Sequence, residues 1–149
     1  MLVLCQNLLL DWSLNRISTK NDNNAAILVV DDEYDIVNLI KQSLEVNRLR
    51  VCAFTDAFVA LEHLNSHAKD YHSVVIPDIR MPGINGYEFV KKAKEIDKQS
   101  KIVLISAFEI NDREFHNVLP DINVDGFLQK PFHIQQLNEV VEKISTRDN

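Results

Sequence analysis

Five polar residues in this chain stand at or close to the ends of strand-like segments. Asp31 and Asp32 follow Ala26-Ile27-Leu28-Val29-Val30, and Asp78 follows Val74-Val75-Ile76-Pro77. Ser106 closes Ile102-Val103-Leu104-Ile105, and Lys130 lies close to the end of a fifth strand read over 124–128. Carboxylates, a hydroxyl and an ammonium are the groups phosphoryl transfer draws on: a nucleophile, charge to neutralise phosphate oxygens, and a donor to hold one of them. A carboxylate can itself accept the phosphoryl group as an aspartyl phosphate. Asp78 is the first candidate, because a carboxylate at the C-terminal end of a buried strand lies where open α/β sheets place their ligand crevices. Taken singly, each residue has a plainer reading. Asp31 and Asp32 could cap a helix, Asp78 could be a turn residue, Ser106 a strand-end hydroxyl and Lys130 a solvated charge. Their shared position at the ends of four different strands favours the joint functional reading.

The apolar runs supply the elements that must position these groups. Residues 26–30 form a continuous apolar run, the pattern of a parallel strand buried on both faces. Ile36, Leu39, Ile40 and Leu44 recur at helical spacing. Residues 49–54 read as a second strand, and Thr55 or Asp56 caps a helix with Val59, Leu61 and Leu64 as apolar positions. The third strand ends at Asp78; a turn rich in Pro and Gly follows (Met81-Pro82-Gly83, Asn85-Gly86), then a helix over 87–96. A fourth strand over 102–105, a short helix near 111–119 and a fifth strand over 124–128 come next. A last helix carries Ile134, Leu137, Val140, Val141 and Ile144. Strands alternating with helices imply parallel pairing, right-handed crossovers and helices on both sheet faces. Pro77 stands out, since proline has no N–H for a ladder and is unusual in a central strand. It could displace Asp78 and alter its reactivity.

With 149 residues, the chain suits one domain with a single core. Its 16 Lys and Arg against 22 Asp and Glu give a net charge of −6, which argues against direct binding of nucleic acid. Two cysteines, Cys5 and Cys52, without a CxxC pair, support neither a disulfide framework nor a thiolate zinc site, and point to a reducing compartment. Cys52 reads as a small core residue. His63 and His67, four apart on a helix, could share a metal, but no third ligand or HExxH pattern accompanies them, so a solvated helix face is favoured. Residues 1–24 form an N-terminal extension. Asn7, Asp11, Asn15 and Ser18 would draw one polar stripe on an otherwise apolar helix in need of a partner surface, a homodimer included; a poorly ordered extension is the alternative. The segment makes a poor signal peptide and is too short and polar to span a bilayer. Residues 25–146 form the domain and 147–149 a tail, leaving no room after about residue 144 for an output domain.

Asp78-Ile79-Arg80-Met81-Pro82-Gly83, taken with Asp31-Asp32, Ser106 and Lys130-Pro131, closely resembles the receiver domain of two-component response regulators, of the chemotaxis-regulator-like single-domain kind. The resemblance covers 25 to about 144. It implies a flavodoxin-like doubly wound (βα)5 fold with a five-stranded parallel sheet in the order 2-1-3-4-5. In that order the first and third strands are neighbours, so Asp31, Asp32 and Asp78 meet. Two carboxylates about 4 Å apart repel by roughly 4 kcal/mol at an effective dielectric near 20, and a bound cation would relieve this. The resemblance implies Mg2+ (or Mn2+) on Asp31, Asp32, Asp78 and the backbone carbonyl of Arg80. It implies that Asp78 accepts a phosphoryl group from a histidine kinase or phosphotransfer protein. Ser106 and Lys130 would hold phosphoryl oxygens, and Ser106 and Phe127 would form a switch that alters the surface offered to a downstream protein partner. Family members often have this Lys-Pro bond cis, so a cis bond is expected between Lys130 and Pro131.

Two other classes share parts of this pattern. An aspartate-nucleophile phosphatase of the haloacid dehalogenase type usually has an acid two residues after the nucleophile, where this chain has Arg80, and needs a substrate cap. A pseudo-receiver would be a pure interaction module, but such modules normally lose acid-pocket residues and this chain keeps all five. The expectation is therefore a cytoplasmic signalling switch, not an enzyme, with at most slow hydrolysis of its own aspartyl phosphate.

Overall fold

The computed structural model describes residues 25–108 and 112–145. Readings placed on 1–24, including the amphipathic helix and any dimer it would build, lie outside the described residues. Five strands alternate with five helices: β1 (Ala26–Val30), α1 (Tyr34–Val46), β2 (Val51–Phe54), α2 (Ala57–Ser66), β3 (His72–Pro77), α3 (Gly86–Ile96), β4 (Lys101–Ser106), α4 (Asp112–Val118), β5 (Gly126–Gln129) and α5 (Ile134–Ser145). All strands pair in parallel, in the order β2-β1-β3-β4-β5. This is the expected doubly wound sheet.

The continuous apolar runs follow from coverage of both sheet faces. Ala26, Leu28 and Val30 of β1 face a core built with α2 and α3, including Ala60, Leu64, Phe89 and Val90. Ile27 and Val29 face a second core built with α1 and α5, including Ile40, Leu44, Leu137 and Val141. Each fully buried side chain of this size contributes about 1.5–3 kcal/mol. Asp56 caps α2, accepting from the N–H groups of Phe58 and Val59 at 2.9 and 3.1 Å. Asn85 caps α3, accepting from Glu88 N–H at 2.9 Å.

The helical stripes differ in detail from the sequence reading. Leu39 and Ile134 are exposed (39% and 44%), while Val37 and Lys41 are buried. The Lys41 stem lies inward and its ammonium reaches Glu45 at 2.9 Å, so a charged residue serves as an apolar one. On α2 the buried positions are Ala57, Ala60 and Leu64, with Val59 and Leu61 only partly covered. His63 is not on a solvated face: it is half-buried, with its ring 5.0 Å from that of Phe54 in β2.

The fold accommodates Pro77 without displacing its neighbour. N–H groups alternate sides along a strand. Asp78 donates to the Val30 carbonyl of β1 and Ile79 to the Ile105 carbonyl of β4, each at 2.9 Å, so position 77 faces β4. Pairing with β4 runs through Val74 and Val75, lapses, and resumes at an isolated bridge between Asp78 and Ile105. The missing N–H falls in that lapse. The pairing with β1 continues through Val30 and Pro77.

Candidate functional site

β1 and β3 are adjacent, so their C-terminal ends deliver Asp31, Asp32 and Asp78 to one crevice. One carboxylate oxygen from each lies within 4.8 Å of the others. Asp31 is fully buried and Asp78 is 5% exposed, whereas Asp32 is exposed at the rim. Asp31 Oδ1 accepts from Glu33 N–H at 2.9 Å. Asp78 is anchored through its own N–H to β1 and through Ile79 to β4, so backbone pairing fixes where its side chain starts.

Lys130 enters from the end of β5. Its Nζ is 2.7 Å from Asp31 Oδ2, 3.1 Å from Glu33 Oε1 and 3.5 Å from Asp78 Oδ1. Its N–H donates to the Ser106 carbonyl at 2.7 Å, which ties the ends of β4 and β5 together. The Lys130–Pro131 bond is cis, as expected. Ser106 is 5% exposed, and its Oγ accepts from Phe108 N–H at 3.0 Å. Arg80, in the loop after Asp78, lays its guanidinium over the Phe108 ring at 4.0 Å. Phe127 pairs with Leu104 across the β4–β5 ladder and is partly buried against the α2–α3 core. With Gln129, Gln136, Glu139 and Val140 it lines a groove along β5 and α5.

The loop after Asp78 is shaped by two glycines. Gly83 adopts φ +82°, the left-handed region other residues avoid. Gly86 opens α3 against the strand end: its N–H donates to the Ile79 carbonyl at 2.7 Å, and a Cβ there would sit 2.6 Å from the Asp78 carbonyl oxygen.

Charge in the crevice is unbalanced. Burial pushes the Asp78 carboxyl up to about 6; the charges of Asp31 and Asp32 add to this and Lys130 opposes it. Burial also raises Asp31, against the pull of Lys130. Burial works against the Lys130 ammonium, yet Asp31, Glu33 and Asp78 outweigh it and hold Lys130 above the ordinary lysine value. One ammonium among this many acids leaves surplus negative charge. The donor set fits a hard divalent cation. Oxygen ligands on Mg2+, at about 2.1 Å from the metal, stand roughly 3–4 Å from one another, and the three aspartates offer oxygens within 4.8 Å of one another.

The structure thus gathers Asp31, Asp32, Asp78 and Lys130 directly, and joins Ser106 to them through the β4–β5 backbone. Glu33 received no role from the sequence, although its place in the run Asp31-Asp32-Glu33 was visible; it is the second carboxylate on Lys130. The sequence marks Gly86 only as a turn signal, because the backbone it must approach, at Asp78 and Ile79, lies eight and seven residues earlier.

A 2-1-3-4-5 parallel sheet with acids, a hydroxyl and a lysine at its C-terminal edge defines a flavodoxin-like domain of the receiver class. The response regulator receiver domain matches residues 27–142, and the chain belongs to that family. It is 31% identical over 119 residues to the response regulator receiver protein CpdR of Brucella abortus, covering 79% of this chain and 94% of that protein. It is 30% identical over 125 residues to the alkaline phosphatase synthesis transcriptional regulatory protein PhoP of Bacillus subtilis, covering 83% of this chain. The chain spans about half of that regulator's length. Among solved structures, the response regulator receiver protein from Sinorhizobium medicae superposes with a TM-score of 0.69 at 27% identity, covering 84% of this chain and 97% of the other.

Proposed function

We propose that this domain is a phosphorylation-dependent switch in which Asp78 accepts a phosphoryl group from a histidine kinase or phosphotransfer protein. The observation that carries it is the placement of buried Asp78 beside Asp31 and Asp32 with the Lys130 ammonium 3.5 Å away. An Asp78 oxygen attacks phosphorus, the bond from phosphorus to the donor histidine nitrogen breaks, and that nitrogen regains its electron pair. Lys130 then neutralises a phosphoryl oxygen, and the Ser106 hydroxyl supplies a hydrogen bond to another. Asp31, Asp32 and Asp78, with the Arg80 carbonyl, would hold Mg2+ or Mn2+, which when bound supplies further positive charge to the phosphoryl oxygens. The switch reads the added charge: Ser106 engages the phosphoryl group, Phe127 turns inward, and the groove beside it on β5 and α5 changes shape for a protein partner. Two similar proteins, a sporulation initiation phosphotransferase of Bacillus subtilis and a hybrid signal transduction histidine kinase of Dictyostelium discoideum, support a place in phosphotransfer signalling. The domain is a switch and not a turnover enzyme, and it acts in the cytoplasm; among the described residues no helix is long and apolar enough to cross a membrane.

The test is intact mass after incubation with Mg2+ and acetyl phosphate, for wild type and Asp78→Asn. A hydroxylamine-labile gain of one phosphate in wild type alone is expected. No gain, with beryllofluoride also failing to bind, would instead make the domain a pseudo-receiver.

A further inference from the structure

A second ligand constellation lies on the α2 side of the sheet, toward the edge where the strands begin and away from Asp78. Cys52 is in β2, paired with Leu28; His72 opens β3, paired with Ala26; His63 comes from α2. The Cys52 thiol sulfur and one imidazole nitrogen from each histidine lie within 4.8 Å of one another. We propose that Cys52, His63 and His72 bind one zinc ion, independently of the acidic crevice.

Three observations support this. First, the Nε2 atoms of His63 and His72 are buried and have no hydrogen-bond partner among the described residues, although His72 is only 3% exposed. A buried imidazole nitrogen without a partner is costly, and packing alone does not account for two side by side. A cation shared between them satisfies both lone pairs. Second, both rings are in the form that ligates. Burial holds His63 down at about 4 and His72 at about 3, each lowered further by neighbouring histidine, so both are neutral at pH 7. Third, the donor chemistry selects the ion. One thiolate and two imidazoles are the borderline-soft set that zinc takes in tetrahedral sites, whereas the all-carboxylate crevice suits a hard ion.

The geometry needs only local closure. Tetrahedral zinc with one sulfur and two nitrogen ligands holds its donors about 3.3–3.6 Å apart, so three donors already within 4.8 Å of one another draw in by at most roughly 1.5 Å. Surrounding rings hold the cluster in place. His63 and His72 meet edge to face with centroids 5.0 Å apart, and Tyr71 lies tilted against His67 at 4.3 Å and edge-on to His72 at 4.6 Å. The His67 ring is 4.1 Å from that of His63, with its Nδ1 2.7 Å from the His63 carbonyl oxygen. Water completes the fourth position. On binding, Cys52 gives its thiol proton to solvent and the sulfur coordinates as thiolate. The ion would then clasp β2, α2 and the start of β3. His63 and His67 alone, four apart on one helix, signalled only half a site in the sequence; the fold adds Cys52 and His72 from two strands.

The experiment is native mass spectrometry of the full chain, free of any histidine tag, after one equivalent of zinc chloride in saturating Mg2+ and removal of loose metal. One retained zinc per chain is expected. Cobalt substituted for zinc should give the near-ultraviolet thiolate charge-transfer band. Cys52→Ala and His72→Gln should abolish both signals, and His63→Gln should weaken zinc binding at least tenfold, while Asp78→Asn and Cys5→Ser leave them unchanged. No retained zinc, or zinc retained undiminished in Cys52→Ala, overturns the proposal, as does a cobalt band lost in Cys5→Ser instead. If circular dichroism shows either strand variant unfolded, the half-buried His63→Gln decides: undiminished affinity there overturns the site.

Discussion

Asp78 is a carboxylate placed where charge is unwelcome, and that sets its pH behaviour. Its folded carboxyl is raised from 3.8 to about 6, so the folded protein keeps this proton through a window in which the unfolded chain has lost it. Stability from this group is therefore present below about pH 4 and lost as pH rises through 6. At pH 7 the ionised side chain costs the metal-free protein on the order of 2 kcal/mol. Asp78→Asn removes that cost and should raise the metal-free Tm at pH 7 by about 5 °C, with the gap vanishing near pH 4. Equal melting curves at pH 7 would show that the crevice is not strained by its own charge. Phe108 acts differently. It is half exposed (51%), Arg80 stacks on its ring, and its N–H is bonded to the Ser106 hydroxyl, so its expected role is shielding, with this pair flanking a phosphoryl group on Asp78. Truncation opens a path for water. Phe108→Ala should shorten the aspartyl-phosphate lifetime by a few-fold, and faster decay in wild type, followed by loss of radiolabelled phosphate, would refute the shielding role.

At the scale of elements, α3 is pressed onto the strand end that carries Asp78. A methyl at Gly86 meets the Asp78 carbonyl oxygen and Ile79 Cα, both at 2.6 Å, and these are backbone atoms held in two ladders. They cannot yield without moving Asp78. A methyl at Gly126 meets instead Val140 Cγ1 at 3.0 Å, the tip of a side chain. Gly86→Ala should cost about 2–3 kcal/mol and cut phosphorylation sharply, while Gly126→Ala costs about 1 kcal/mol or less and leaves it intact. Urea denaturation of the two variants separates them, and equal losses would mean that α3 simply rides outward. Such contacts explain what the sequence could not convey. β1, β2 and β4 were legible because both faces are covered and their apolar runs are nearly unbroken, whereas the edge strand β5 has only Leu128 buried and its bounds shift from 124–128 to Gly126–Gln129. The helix stripes were less so: Leu39 looks apolar but points outward, and Lys41 looks polar but buries its stem. The cap on α2 was narrowed to Thr55 or Asp56, and the carboxylate, with two acceptor oxygens, takes the two free N–H groups.

Across the whole molecule, Lys130 is the point where the strand ends are held to one another. It lies past β5, bonds through its backbone to the end of β4, and through its ammonium reaches Asp31 after β1 and Asp78 after β3. The residues themselves could be named from the sequence because each stands at or close to a strand end, but their convergence follows from a strand order that no local pattern encodes. Removing Lys130 should therefore do more than delete one ion pair. In metal-free protein, Lys130→Met leaves Asp31 and Asp78 buried without their counter-charge, at a cost of about 3 kcal/mol. It should also push Asp78 further above 6. Added Mg2+ should recover much of the loss, because the same surplus charge is what a cation relieves. In a double-mutant cycle, Asp78→Asn should rescue part of the Lys130→Met deficit, giving a coupling on the order of 1 kcal/mol. Strict additivity would place the role of Lys130 with Asp31 and Glu33 alone. A positive coupling would place Lys130 in direct electrostatic contact with Asp78 as well, so that a change of charge on Asp78 is felt by the residue that joins the ends of β4 and β5.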